Sequence, residues 1–62
     1  MTINEKIKKY LEDHGIKQSF ISKKTEIPTD VLSKIVVGQR NITAEELGKI
    51  SKALNVSADI FL

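Results

Sequence analysis

Between Gln18 and Gly38 the apolar positions fall into two short stripes broken by a turn. Phe20, Ile21 and Thr25 share one face, and Val31, Leu32 and Ile35 share another, the spacing of a helix with one buried side. Glu26-Ile27-Pro28 lies between them. Pro28 disfavours a helical Ile27, so the first helix stops before it. Proline also suits the opening of a new helix, where its missing N–H would lack a partner anyway. Two helices of about two turns each, joined by a few residues, predict a helix-turn-helix unit. Ser22 is small and central in the first of the two, where they cross closely. A bulky side chain there should overpack the crossing, at about 1–3 kcal/mol.

The flanking pattern predicts further helices. Thr2 and Glu5 form a capping box ahead of the stripe Ile3, Ile7, Tyr10 and Leu11, and Gly15 is a natural stop. Ile16 is placed to pack on Ile21 as a hydrophobic staple. Gly38 ends the second helix of the pair, after Val36 and an apolar Val37 that the pattern leaves open to solvent or to a partner. Thr43 and Glu46 make a second capping box, and the helix they open should bury Leu47, Ile50, Ala53 and Leu54 before stopping at Asn55. Ser57 starts a last short helical turn. Ile60, Phe61 and Leu62 then cover the core, or form a subunit interface, or both.

Composition narrows the function. Sixty-two residues make one domain, residues 1–62, with a small core. There is no cysteine, and His14 is the only histidine, so no thiolate or histidine metal site is expected. No cofactor is expected either. His14 fits the last turn of the first helix, where the dipole favours it, better than catalysis, since no nucleophile or second base accompanies it. No convergent acid, base or nucleophile set exists, so an enzyme is not expected. No apolar run approaches the roughly 20 residues of a membrane span, and Lys6, Lys8 and Lys9 interrupt any signal-peptide core, so a cytoplasmic protein is expected. The net charge of +2 says little, but its distribution says more. Residues 16–40 carry Lys17, Lys23, Lys24, Lys34 and Arg40 against Glu26 and Asp30, a net +3, whereas the segments on either side are balanced or slightly acidic.

The positive excess falls on the helix-turn-helix and the loop after it, and the candidate site residues are there. Lys17 is a poor helix cap, so Gln18 sits beside open N–H groups that suit a phosphate. Pro28 opens the next helix, which leaves Thr29, Asp30, Ser33 and Lys34 for its outer face. Polar side chains on the N-terminal half of a helix fit the B-DNA major groove, about 12 Å wide. Lys34 can donate to guanine O6 or N7. Thr29 and Ser33 can reach base edges or phosphates, and Thr29 can touch a thymine methyl. Asp30 either accepts from a cytosine amine or favours the helix N-terminus electrostatically. Arg40, in the polar loop Gln39-Arg40-Asn41, is the first candidate for a phosphate contact, because its planar fork matches that group. Lys23 and Lys24 are phosphate contacts or solvated surface.

These residues resemble the Cro/C1-type (XRE, lambda-repressor-like) helix-turn-helix family over about residues 3–62. The resemblance is carried by Ile16-x-Gln18, Ile21-Ser22, Ile27, Leu32-Ser33-Lys34-Ile35, Gly38, and Leu47-x-x-Ile50-Ser51-x-Ala53-Leu54-Asn55-Val56-Ser57-x-Asp59-x-Phe61. It implies an all-α, compact five-helix domain whose recognition helix begins around Pro28. Thr29, Asp30, Ser33 and Lys34 would be readers and Gln18 a backbone clamp. Arg40, Asn41 and the helix starting at Thr43 would contact the other side of the site. It also implies double-stranded DNA as partner and a repressor acting as a homodimer on a palindromic operator. One short recognition helix reads few bases, and two copies about 34 Å apart would double the site. The interface is expected at the Ile60-Phe61-Leu62 end and the loop before the fourth helix. Three positions depart from the family: Glu26 where glycine is usual in a left-handed turn, Pro28 where Ser or Thr usually caps, and Val36-Val37 where Glu-Asn precedes the loop glycine. The other function weighed is a protein-interaction module, an antitoxin-like or antirepressor-like partner on the same fold, which Val36, Val37 and the apolar tail keep open.

Overall fold

The computed structural model describes residues Met1–Leu62. The chain is all-α: α1 (Ile3–Asp13), α2 (Gln18–Thr25), α3 (Thr29–Val36) and α4 (Ala44–Leu54). A 3-10 turn over Ala58–Phe61 stands where a fifth helix was expected. Its four residues are too few for a regular α-helix, and Ser57 caps it by accepting from the Asp59 N–H.

Local chemistry sets most boundaries. In α1 the Thr2 hydroxyl accepts from the Glu5 N–H at 3.1 Å, and the Glu5 carboxylate accepts from the Thr2 N–H at 3.0 Å. Thr43 and Glu46 repeat the reciprocal pair at α4, at 3.1 and 2.9 Å. Three helices end the same way. A left-handed residue (Gly15, Gly38 or Asn55) lets the next N–H reach back to a carbonyl five residues earlier: Ile16 to Leu11, Gln39 to Lys34 and Val56 to Ser51, at 2.9–3.0 Å. Glu26 ends α2 in the same region, with φ +63° and no glycine freedom to reach it.

The core gathers Ile7 and Leu11 from α1, Ile21 from α2, Ile27 from the turn, Leu32 and Val36 from α3, Leu47 and Ile50 from α4, and Phe61. Phe61 is fully buried and meets Tyr10 edge to face, so the 3-10 turn closes the space between α1 and α4. Four apolar residues differ from expectation. Phe20 is 48% exposed, not inside with Ile21 and Thr25. Ile21 and Thr25 are one turn apart on the stripe facing the core, whereas Phe20 lies about 100° away round the helix, and the Lys24 ammonium sits 5.6 Å from its ring centre. Val36 is buried, so it is core and not part of an open contact surface. Ala53 and Leu54 are only partly buried. Ser51 is buried instead, its hydroxyl donating to the Leu47 carbonyl at 2.8 Å. No helix is long and apolar enough to cross a membrane.

Candidate nucleic-acid interface

The start of α2 is as open as the sequence suggests. Lys17 holds extended backbone at the N-cap position and no side chain caps the helix. Gln18 makes no side-chain hydrogen bond within the protein and keeps its amide for an outside partner. Lys17 is exposed and in no ion pair. Unpaired first-turn N–H groups, the positive end of the helix dipole and a lysine combine into a site that favours an anion.

Helix α3 is braced from behind by α1 and α2. Leu32, Ile35 and Val36 are buried, and this turns Thr29, Asp30 and Lys34 outward, with Ser33 half-buried beside them. Lys34 has no carboxylate partner. Asp30 lies in the first turn of α3, where a negative charge is favourable, and it pairs with no cation. Pro28 stands at the N-cap position with no side-chain cap to offer. A hydroxyl chain takes over the joining role: Thr29 Oγ1 donates to Ser22 Oγ at 3.2 Å, and Ser22 Oγ donates to the Ile27 carbonyl at 2.5 Å. Thr25 supports the same turn from inside, donating to the Ile21 carbonyl at 2.7 Å and accepting from the Ile27 N–H at 3.3 Å. Ser22 is therefore a polar joint as well as a small residue at a crossing.

The loop after α3 is fixed by partners that sequence reasoning missed. Asn4 Nδ2 donates to the Ile35 carbonyl at 2.7 Å and to the Arg40 carbonyl at 3.0 Å, tying α1 to the end of α3 and to the loop. The available signal was spacing: Asn4 lies three residues before Ile7 and seven before Leu11, so a polar residue occupies the buried stripe. Arg40 is not the free fork that its loop position suggests. Its Nη1 donates to both carboxylate oxygens of Glu46, at 2.8 and 2.9 Å. The pairing raises the Arg40 pKa, and it is the main cause that holds the Glu46 carboxyl below its ordinary value, followed by the Thr43 N–H. Nη2 and Nε of Arg40 remain for an outside partner. Thr43 accepts from the Glu46 N–H and still has its hydroxyl proton to donate, and Asn41 is exposed. No group of three or more His, Asp or Glu side chains is gathered where it could hold a metal.

Exposed lysines at two helices, a helix N-terminus open to anions and an outward polar face on a braced short helix can together grip a polyanion and read its edges. A helix-turn-helix family model matches residues 7–61, from the first buried residue of α1 to the end of the 3-10 turn. The chain belongs to the Cro/C1-type helix-turn-helix family. No curated protein and no solved structure matches it. As a helix-turn-helix domain it is of a DNA-binding kind typical of transcriptional regulators. In its terms, α2 and α3 are the paired helices, and Glu26, Ile27 and Pro28 are the turn.

Proposed function

We propose that this protein is a transcriptional repressor that binds double-stranded DNA sequence-specifically, acting in the cytoplasm with residues 1–62 as one domain. Helix α3 enters the major groove. Thr29, Asp30, Ser33 and Lys34 face base edges, with Pro28 setting the angle of entry. Lys17 and Gln18 hold one phosphate strand, and Arg40, Asn41 and Thr43 hold the other. The observation that carries the reading is the division of α3, with three fully or nearly buried apolar residues behind and Thr29, Asp30 and Lys34 exposed in front. A rigid back and a polar front are what groove reading requires.

Exposed Ile60 and Leu62, at 49% and 64%, support a homodimer through that end, together with the loop before α4. Selection from a random duplex pool tests the whole reading. A two-fold symmetric motif with half-sites about one DNA turn apart is expected, as is affinity that falls steeply with salt. A monomer in sedimentation at every concentration, with and without DNA, would refute the dimer. The second reading, an antitoxin-like or antirepressor-like protein partner, rests on Val37, which is 54% exposed beside the loop. It gains if no duplex is bound even at low salt.

A further inference from the structure

We infer that Ser22 decides which base edges Thr29 can read. A serine or threonine hydroxyl has one proton to donate, and a carbonyl oxygen has none. Ser22 Oγ lies 2.5 Å from the Ile27 carbonyl, so the serine proton is committed there. The 3.2 Å contact between Ser22 and Thr29 must then use the proton of Thr29. That proton points back into the turn. Thr29 is exposed at the first position of α3, and toward solvent it presents oxygen lone pairs and a methyl group.

In the major groove guanine shows only the acceptors O6 and N7. Adenine offers the N6 amine, cytosine the N4 amine and thymine a methyl group. Thr29 so committed can accept from adenine or cytosine or touch thymine, and donating to guanine would cost it the bond to Ser22. Ser22 never meets DNA in this scheme. It is a positioning residue that removes one base from the set its neighbour accepts. The inference rests on α3 being the groove helix.

Duplex selection with wild type, Ser22→Ala and Thr29→Val tests it, with circular dichroism to confirm folding. Thr29→Val identifies the base pair that Thr29 faces, as the one whose preference it alters. At that pair wild type should disfavour guanine on the strand facing Thr29. Ser22→Ala frees the threonine proton and should enrich guanine there, and only there, by about two- to tenfold, the worth of one hydrogen bond. Adding Thr29→Val to Ser22→Ala should abolish that enrichment. Thr29→Ser keeps the relay without the methyl group, so it should lose thymine preference and still reject guanine. An unchanged Ser22→Ala motif overturns the inference alone, as does a loss of preference spread over several positions. Admission of guanine by Thr29→Ser overturns it too. A wild type that selects no motif overturns both this inference and the groove reading beneath it.

Discussion

Replacing Glu26 with glycine isolates the backbone cost of the turn between α2 and α3. Glu26 sits at φ +63° and ψ +13°. An L-residue with a Cβ pays about 1–2 kcal/mol for the left-handed region, and glycine does not. Glycine returns about 0.4–1 kcal/mol of that through its freer unfolded chain. The net expectation is a gain of about 0.5–1 kcal/mol. For a domain of this size it should raise Tm by roughly 2–8 °C. The side chain gives up little, since it is exposed and makes no hydrogen bond or ion pair.

Two further substitutions make the inference strict. Glu26 lies near Lys24, Lys49 and Lys52, so Glu26→Gln measures the charge with the backbone strain retained; it should stay within about 0.5 kcal/mol of wild type. Asn55 has nearly the same backbone, φ +58°, but asparagine tolerates that region well, so Asn55→Gly should gain less than Glu26→Gly. Urea denaturation reads all three, with a shift of midpoint at constant m expected. Equal gains from Glu26→Gly and Glu26→Gln would place the effect in the charge and refute the strain argument. So would a destabilised Glu26→Gly.

Asn4→Ala should cost about 1–3 kcal/mol in urea denaturation, because it removes two hydrogen bonds that tie α1 to the part-buried end of α3 and to the loop. The Glu46 carboxyl has its pKa lowered from 4.5 by folding, chiefly by Arg40, so its contribution is complete above that value and is lost as pH falls through the lower folded value. Wild type should therefore lose stability on acidification below about pH 4.5 more steeply than Glu46→Gln, as read by thermal melts across pH. Lys34→Ala should relax preference at one base position, whereas Arg40→Ala should weaken all duplexes about equally and reduce the salt slope by about 1, in titrations at several salt concentrations. The reverse pattern would mean that reader and clamp are exchanged.

Local signals were legible and distant partnerships were not. Both capping boxes lie within four residues, and the stops at Gly15, Gly38 and Asn55 depend on one residue type each, so the pattern placed them. The strained conformation of Glu26 followed only from the resemblance, because a glutamate carries no sign of left-handed backbone. The outward turn of Phe20 is not legible because α2 has eight residues, too few for adjacent apolar positions to show which of them faces inward. The burial of Val36 is hidden for a related reason: at a helix end, periodicity has no next turn to confirm the face. The contacts of Asn4 with residues 31 and 36 positions away have no local signature beyond an asparagine on an apolar stripe.

The residue types of the site were legible, but their free valences were not, and free valence determines what an interface residue can contact. Thr29 donates inward, Arg40 gives Nη1 to Glu46, and Thr43 spends a lone pair on the cap of α4. A carboxylate beside Arg40 also lowers its net pull on a phosphate, since the pair is close to neutral at a distance. The uncommitted cations of the site are Lys17 and Lys34. Long-range attraction to DNA should therefore fall on these two lysines, while Arg40 acts at contact distance through Nη2 and Nε. Association rates should then fall for Lys17→Ala but stay near wild type when Arg40→Ala is combined with Glu46→Gln, which removes the pair with no change of net charge, while dissociation rates should rise in that double variant. An association rate that falls as far in that double variant as in Lys17→Ala would show that Glu46 does not offset Arg40 at a distance.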